Sequence, residues 1–156
     1  MTTLPWRVTL DVISVLQGLE IDYALVGSLA SSAQGVPRAT IDADLLVALR
    51  AEHIPRLVEA LHHDFYISEF AAQEALVRRS MFNVVHLATS FKVDLYVLGT
   101  EPFAREEMAR KQRRRFSDED PREVEMVTPE DLVISKLRWY ELGNRVSERQ
   151  WRDLLE

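Results

Sequence analysis

The chain has 156 residues and a mass of 18.0 kDa, with 47% hydrophobic and 28% charged side chains, the size of one globular domain that buries its own core. It contains no cysteine, which excludes a disulfide framework, a zinc ribbon, an iron–sulfur site and a thiol nucleophile. A net charge of −6 argues against a histone-like binder of bulk nucleic acid.

Thr9–Glu20 reads as a first helix, because Leu10, Ile13, Leu16 and Leu19 recur at helical spacing. Tyr23–Val26 is a short buried strand ending in Gly27 and Ser28, after which Leu29–Gln34 is a short helix stopped by Gly35 and Pro37. The next strand, Asp42–Ala48, is apolar except for Asp42 and Asp44. Ile54–His63 and Ala71–Arg79 follow a helical pattern. Phe82–His86 and Phe91–Leu98 read as paired strands around a polar turn. Glu101–Arg115 is densely charged, with Pro102 suited to a first helical position. A turn at Ser117–Pro121 leads to a strand at Val124–Val127. Thr128-Pro129-Glu130-Asp131 opens a strong helix: a threonine cap, proline in the first turn and acids beside it. A second capping box at Ser147–Gln150 begins a last helix. That helix stops on Leu154-Leu155-Glu156 and reads as truncated. The pattern is α/β, a small mixed sheet followed by a helical tail.

No apolar run is long enough to span a bilayer, since Gly27, Ser28, Ser31 and Ser32 interrupt the longest one. The N-terminus lacks a basic region followed by an apolar core, so no signal peptide is expected and a cytoplasmic location is.

Asp42 and Asp44 are two apart on one strand and project from one face. Side by side they repel, and each resists ionisation unless a cation neutralises them. Oxygen ligands without sulfur or clustered histidine suit Mg²⁺ first and Mn²⁺ second. On the later strand Phe91, Val93, Leu95 and Val97 alternate with Lys92, Asp94 and Tyr96, which sets Asp94 opposite the apolar residues. Three acids on one open sheet face would suit two metals about 3.5–4 Å apart, as used for in-line phosphoryl displacement. A bare Asp-x-Asp is more often the mark of an exposed turn or strand edge. Against that reading, Leu45, Leu46 and Val47 follow the pair directly, where unpaired acids are costly to bury. Gly27 permits a tight strand-to-helix turn, and Ser28 then lies at a helix N-terminus, where free N–H groups favour a phosphate. Thirteen residues separate Ser28 from Asp42, room for one short helix returning to the next strand.

Strand–Gly-Ser–helix, then Asp-x-Asp, then a third aspartate on a later strand resembles the nucleotidyltransferase fold of the DNA polymerase beta superfamily. The stretch YALVGSLASSAQGVPRATIDADLLV is similar to small bacterial nucleotidyltransferases related to the abortive-infection toxins of type IV toxin–antitoxin systems. The tail VTPEDLVISKLRWYELGNRVSERQWRDLL resembles the same group, so the likeness runs from about Tyr23 to Leu155. It implies a core over residues 1–100, with residues 101–156 adding a charged segment, a hairpin and C-terminal helices in the same compact unit.

The resemblance further implies a Mg²⁺-dependent transfer of a nucleoside monophosphate from an NTP to a hydroxyl of a tRNA, protein or small molecule. Gly27 and Ser28 would hold the phosphates, Asp42 and Asp44 the metal, and Asp94 would share a metal and help deprotonate the acceptor. A toxin or defence role with an antitoxin partner would follow. The alternative is a non-catalytic member that binds a nucleotide or a partner. Lys136, flanked at helical spacing by Leu132, Val133, Trp139 and Tyr140, either snorkels to solvent or reaches the triphosphate. Arg38 either steers phosphates or forms a loop ion pair. Arg110, Lys111 and Arg113–Arg115 form the dense basic run, an RNA track or a solvated hairpin among flanking acids. Arg149 and Asp153 are spaced for an intrahelical ion pair, and Trp139 with Trp151 for packing two helices together. The four histidines read as structural.

Overall fold

The computed structural model describes residues 4–34, 42–115 and 120–142, the side chains of Gln34, Trp139 and Leu142 excepted. Arg38, Trp151 and the pair Arg149 and Asp153 lie outside the described residues, as do the second capping box and the end of the last helix. Among those described, α1 (Leu4–Gly18), β1 (Tyr23–Val26), α2 (Gly27–Gln34), β2 (Asp42–Val47), α3 (His53–Leu61), β3 (Phe65–Tyr66) and α4 (Glu69–Arg78) come first. They are followed by β4 (Met81–His86), β5 (Lys92–Val97), α5 (Pro102–Arg110), β6 (Gln112–Arg115), β7 (Glu123–Met126) and α6 (Pro129–Leu142). No helix among them is long and apolar enough to cross a membrane.

The strands form one seven-stranded mixed sheet in the order β3-β4-β5-β2-β1-β7-β6. β2 pairs parallel to β5, and β1 parallel to β7; the other neighbours are antiparallel. Strands drawn from beyond residue 100 thus lie in the same sheet as β1. Residues paired across a ladder share a face, so Leu25, Leu45, Leu95 and Phe82 line one side of the central strands. That side is fully apolar and buried, and Ile13 and Leu16 of α1 with Ile54 and Leu57 of α3 complete its core. The reverse side carries Asp44, Leu46, Asp94 and Tyr96.

Most boundaries fall within a few residues of the sequence reading. The first helix begins earlier than Thr9, because Trp6 and Val8 also reach the core. The two-residue β3 was not anticipated; it exists only as an edge partner for Val85 and His86. Within the charged segment the helix ends at Arg110 and the chain continues as edge strand β6.

α6 starts as its sequence dictates. Thr128 Oγ1 accepts a hydrogen bond from the Asp131 N–H at 3.1 Å, and Pro129 occupies the first turn, where its missing N–H has no bond to lose. Asp131 is itself buried and takes two hydrogen bonds from Arg110, at 2.7 and 3.0 Å, tying α6 to the end of α5. The guanidinium holds the Asp131 carboxyl below the usual carboxylate range. Thr128→Ala removes the cap and should destabilise the fold by about 1 kcal/mol, read as a lower urea midpoint at unchanged slope.

Candidate active site

The parallel register of β2 and β5 sets Asp44 directly across from Asp94, and Asp42 across from Lys92. The three carboxylates lie close enough to act on one another. Burial pushes the Asp44 carboxyl up to about 7, with the charges of Asp42 and Asp94 adding to the effect. Burial, followed by the Asp42 charge, also raises Asp94. A side-chain hydrogen bond between the two favours the proton on Asp44 over Asp94. The Tyr96 hydroxyl, on the same face, donates to Asp44; burial and the nearby acids push that phenol up to about 12.

Gly27 lies at the end of β1 with a φ of +70°. A Cβ built there would stand 2.1 Å from Asp44 Oδ2 and 2.9 Å from Asp44 Cγ. The position therefore demands glycine twice, for its left-handed backbone and for the space that the carboxylate fills. Ser28, half-buried, follows it in the first turn of α2. Lys136 arrives from α6, half-buried, and its Nζ donates to Ser31 Oγ on α2 at 3.1 Å.

A cavity of about 720 Å³ opens beside these groups. Its lining includes Gly27, Asp44, Tyr96 and Lys136, with apolar wall from Val26, Leu46, Met81, Phe103 and Leu132. Further polar groups of the lining include Arg79, Ser80, Glu101, Glu107, Ser135 and Arg138. Sequence reasoning had not singled out Glu107. It is buried, its Oε1 accepts from Ser135 Oγ at 3.1 Å, and burial pushes its carboxyl up to about 7. Nothing in the pattern of a charged helix separates it from exposed Glu106 beside it. Tyr96 could have been found, since it alternates onto the face of Asp94.

The remaining candidates are engaged elsewhere. Arg110 binds Asp131 and Glu106, while Lys111 bridges Asp22, Glu125 and the Tyr23 carbonyl. Arg113 and Arg115 pair in register with Glu125 and Glu123. The basic run is thus half ion-paired structure and half sheet edge. His53 is buried, with Nδ1 accepting from the Arg50 N–H at 3.0 Å, and burial lowers its pKa. His86 Nδ1 meets Thr89 Oγ1 at 2.8 Å, and the His62 and His63 rings lie in contact, tilted by 36°.

No protein-family model and no curated protein matches the chain. Solved structures do. The lincosamide antibiotic adenylyltransferase LnuA, with lincomycin bound, aligns with a TM-score of 0.60 at 11% identity, covering 95% of this chain and 92% of that one. An antigenic nucleotidyltransferase-like protein from Paracoccidioides brasiliensis aligns at 0.57 and 20% identity, over 94% of this chain and 72% of its own. A Thermotoga maritima protein provisionally named a nucleotidyltransferase aligns at 0.57 and 13% identity, over 94% and 91%. The chain has the nucleotidyltransferase fold. Among the described residues, no three or more acid or imidazole side chains are gathered so that they could hold a metal ion.

Asp44 ionises less readily in the folded nucleotidyltransferase fold than in the unfolded chain. Stability is therefore lost as pH rises from the ordinary value of 3.8 towards about 7, and the loss is complete above it. Asp44→Asn should raise the melting temperature of the apo protein at pH 8, with a gain that shrinks on acidification towards pH about 4. Gly27→Ala should cost about 1–3 kcal/mol, measurable by chemical denaturation, because it strains the backbone and displaces Asp44.

Proposed function

We propose that the chain is a Mg²⁺-dependent transferase that moves a nucleoside monophosphate from an NTP to a hydroxyl of a small organic acceptor. One observation carries the reading: Asp44 and Asp94, two carboxyl groups that resist ionising together, are held in register, with Asp44 pressed against the Gly27 backbone in the wall of a cavity. A donor set of carboxylates without thiolate or clustered imidazole suits a hard cation, Mg²⁺ before Mn²⁺. Mg²⁺ is ordinarily bound through one or two carboxylates completed by water and substrate phosphates, so an open set of acids fits it. Asp42, Asp44 and Asp94 would hold it, and it would supply neutralisation of the phosphates and of the departing pyrophosphate.

Asp94 takes the proton of the acceptor hydroxyl. The acceptor oxygen bonds to the α-phosphorus as the bond to the bridging oxygen breaks and pyrophosphate leaves. The α2 N-terminus, with Gly27 and Ser28, receives phosphate oxygens, and Lys136 adds a cation beside them. Arg38 is given the same task on sequence grounds alone. A small acceptor is favoured because the cavity has the volume of a small-molecule site, typically about 300–1,000 Å³. Arg110 and Lys111 are already ion-paired, which leaves less of the basic run's charge for an RNA backbone. A tRNA or protein acceptor, a toxin role and an antitoxin partner rest on the sequence resemblance.

The test supplies each of the four α-labelled NTPs with Mg²⁺ and a small-molecule extract, total tRNA or a protein fraction. Label should move into the small-molecule fraction, and Asp42→Asn with Asp44→Asn should reduce transfer about 100-fold or more. An enzyme preparation that binds NTP yet labels no fraction would instead be the non-catalytic member. Lys136→Met, which retains the apolar stem, should weaken NTP binding roughly 10- to 150-fold while leaving the melting temperature nearly unchanged. Equal dissociation constants for wild type and variant would remove Lys136 from the phosphate site.

A further inference from the structure

Glu107 is 7% exposed, yet it faces the same cavity as Asp44, from the wall that α5 and α6 build. Its one hydrogen bond among the described residues comes from Ser135, and it makes no ion pair with any of them. The guanidinium groups near enough to influence it are committed elsewhere. Arg110, one turn along α5, is held by Asp131 and Glu106. Arg138 pairs with Glu101 and lies over the Phe103 ring, 4.7 Å from its centre. A carboxyl withdrawn from water without a counter-ion is a standing cost to the fold, and a partner brought by a ligand would offset it. The surroundings of Glu107 on this wall, Phe103, Ala104 and Leu132, are apolar and suit a hydrocarbon body.

We propose that the α5–α6 wall is a subsite for the protonated amine of a small, apolar-bodied ligand, with Glu107 as its counter-ion and Ser135 holding the carboxyl in place. Taken with the transfer reaction proposed above, on which this part rests, that ligand is the acceptor: a hydroxylated amine whose ammonium is anchored at Glu107 while its hydroxyl is turned towards the Asp44–Asp94 pair. The ammonium of such a ligand favours the ionised carboxyl and gains a charge-assisted hydrogen bond in a water-poor site.

Binding of three probes separates this from the reaction itself: phenethylamine, its neutral N-acetyl derivative, and phenylacetate, each titrated against the full chain without nucleotide. The amine should bind about tenfold or more tightly than the N-acetyl compound, and phenylacetate more weakly than either. Glu107→Gln, which keeps the shape and can still accept from Ser135, should abolish the preference for the amine while leaving NTP affinity intact. Glu106→Gln makes the same change of net charge on an exposed neighbour and should preserve that preference. The inference is overturned if the wild type fails to discriminate between the amine and its N-acetyl form. It is equally overturned if Glu107→Gln retains the discrimination, or if Glu106→Gln loses it to the same extent. Discrimination that depends on Glu107 in a chain that transfers no label to any acceptor would support the amine subsite and refute the transferase reading.

Discussion

Two like charges are placed opposite one another by a sheet that has no freedom to separate them. Asp44 and Asp94 occupy partnered positions on parallel strands, and slipping either strand by one residue would turn its own leucine, Leu45 or Leu95, out of the core. The apolar side of β2 and β5 thus imposes the polar side. Fully buried Leu45, Leu95, Val47 and Val84 supply the cohesion against which the repulsion and desolvation of the acids are sustained. Without an added cation the pair relaxes by keeping a proton on Asp44, with the Tyr96 hydroxyl as a second support. Groups held in an unfavourable state by surrounding structure are a common mark of a functional site.

The same constraint reaches into the backbone. Asp44 fills the volume where any other residue at position 27 would carry its Cβ, so the β1–α2 turn and the β2 carboxylate are parts of one steric unit. The start of α2, with its unsatisfied N–H groups, is thereby set beside the acids. A phosphate bound at that helix end would meet whatever neutralises the carboxylates.

α6 joins the two ends of the cavity. Thr128 and the buried Asp131 fix its first turn against α5, so its next turn is delivered at a set height. Adjacent residues then serve opposite walls: Lys136 reaches Ser31 on α2, and Ser135 reaches Glu107 on α5. A helix so anchored can hold a cation near the acids and a buried carboxyl away from them. These are two electrostatic environments within one cavity, Asp44 with Lys136 in the one and Glu107 with Phe103, Ala104 and Leu132 in the other.

Local signals on the chain were sufficient for the alternation of strand and helix, for the capped start of α6, and for placing Gly27 at a strand-to-helix turn and Asp44 on the next strand. Each depends on spacing of two or about 3.6 residues, or on a cap within one turn, which the chain encodes over short distances. Strand β3 and the bend from α5 into β6 were not legible, because edge strands form where a neighbour offers hydrogen bonds rather than where propensity is strong. Only the tertiary structure could decide that Asp94 faces Asp44, since that needs the register of strands some fifty residues apart. Only it could separate Glu107 from Glu106, or assign Arg110 to Asp131, twenty-one positions away. Composition and periodicity report which face of an element is apolar; which distant element covers that face, and which charge is left without a partner, follow from packing alone.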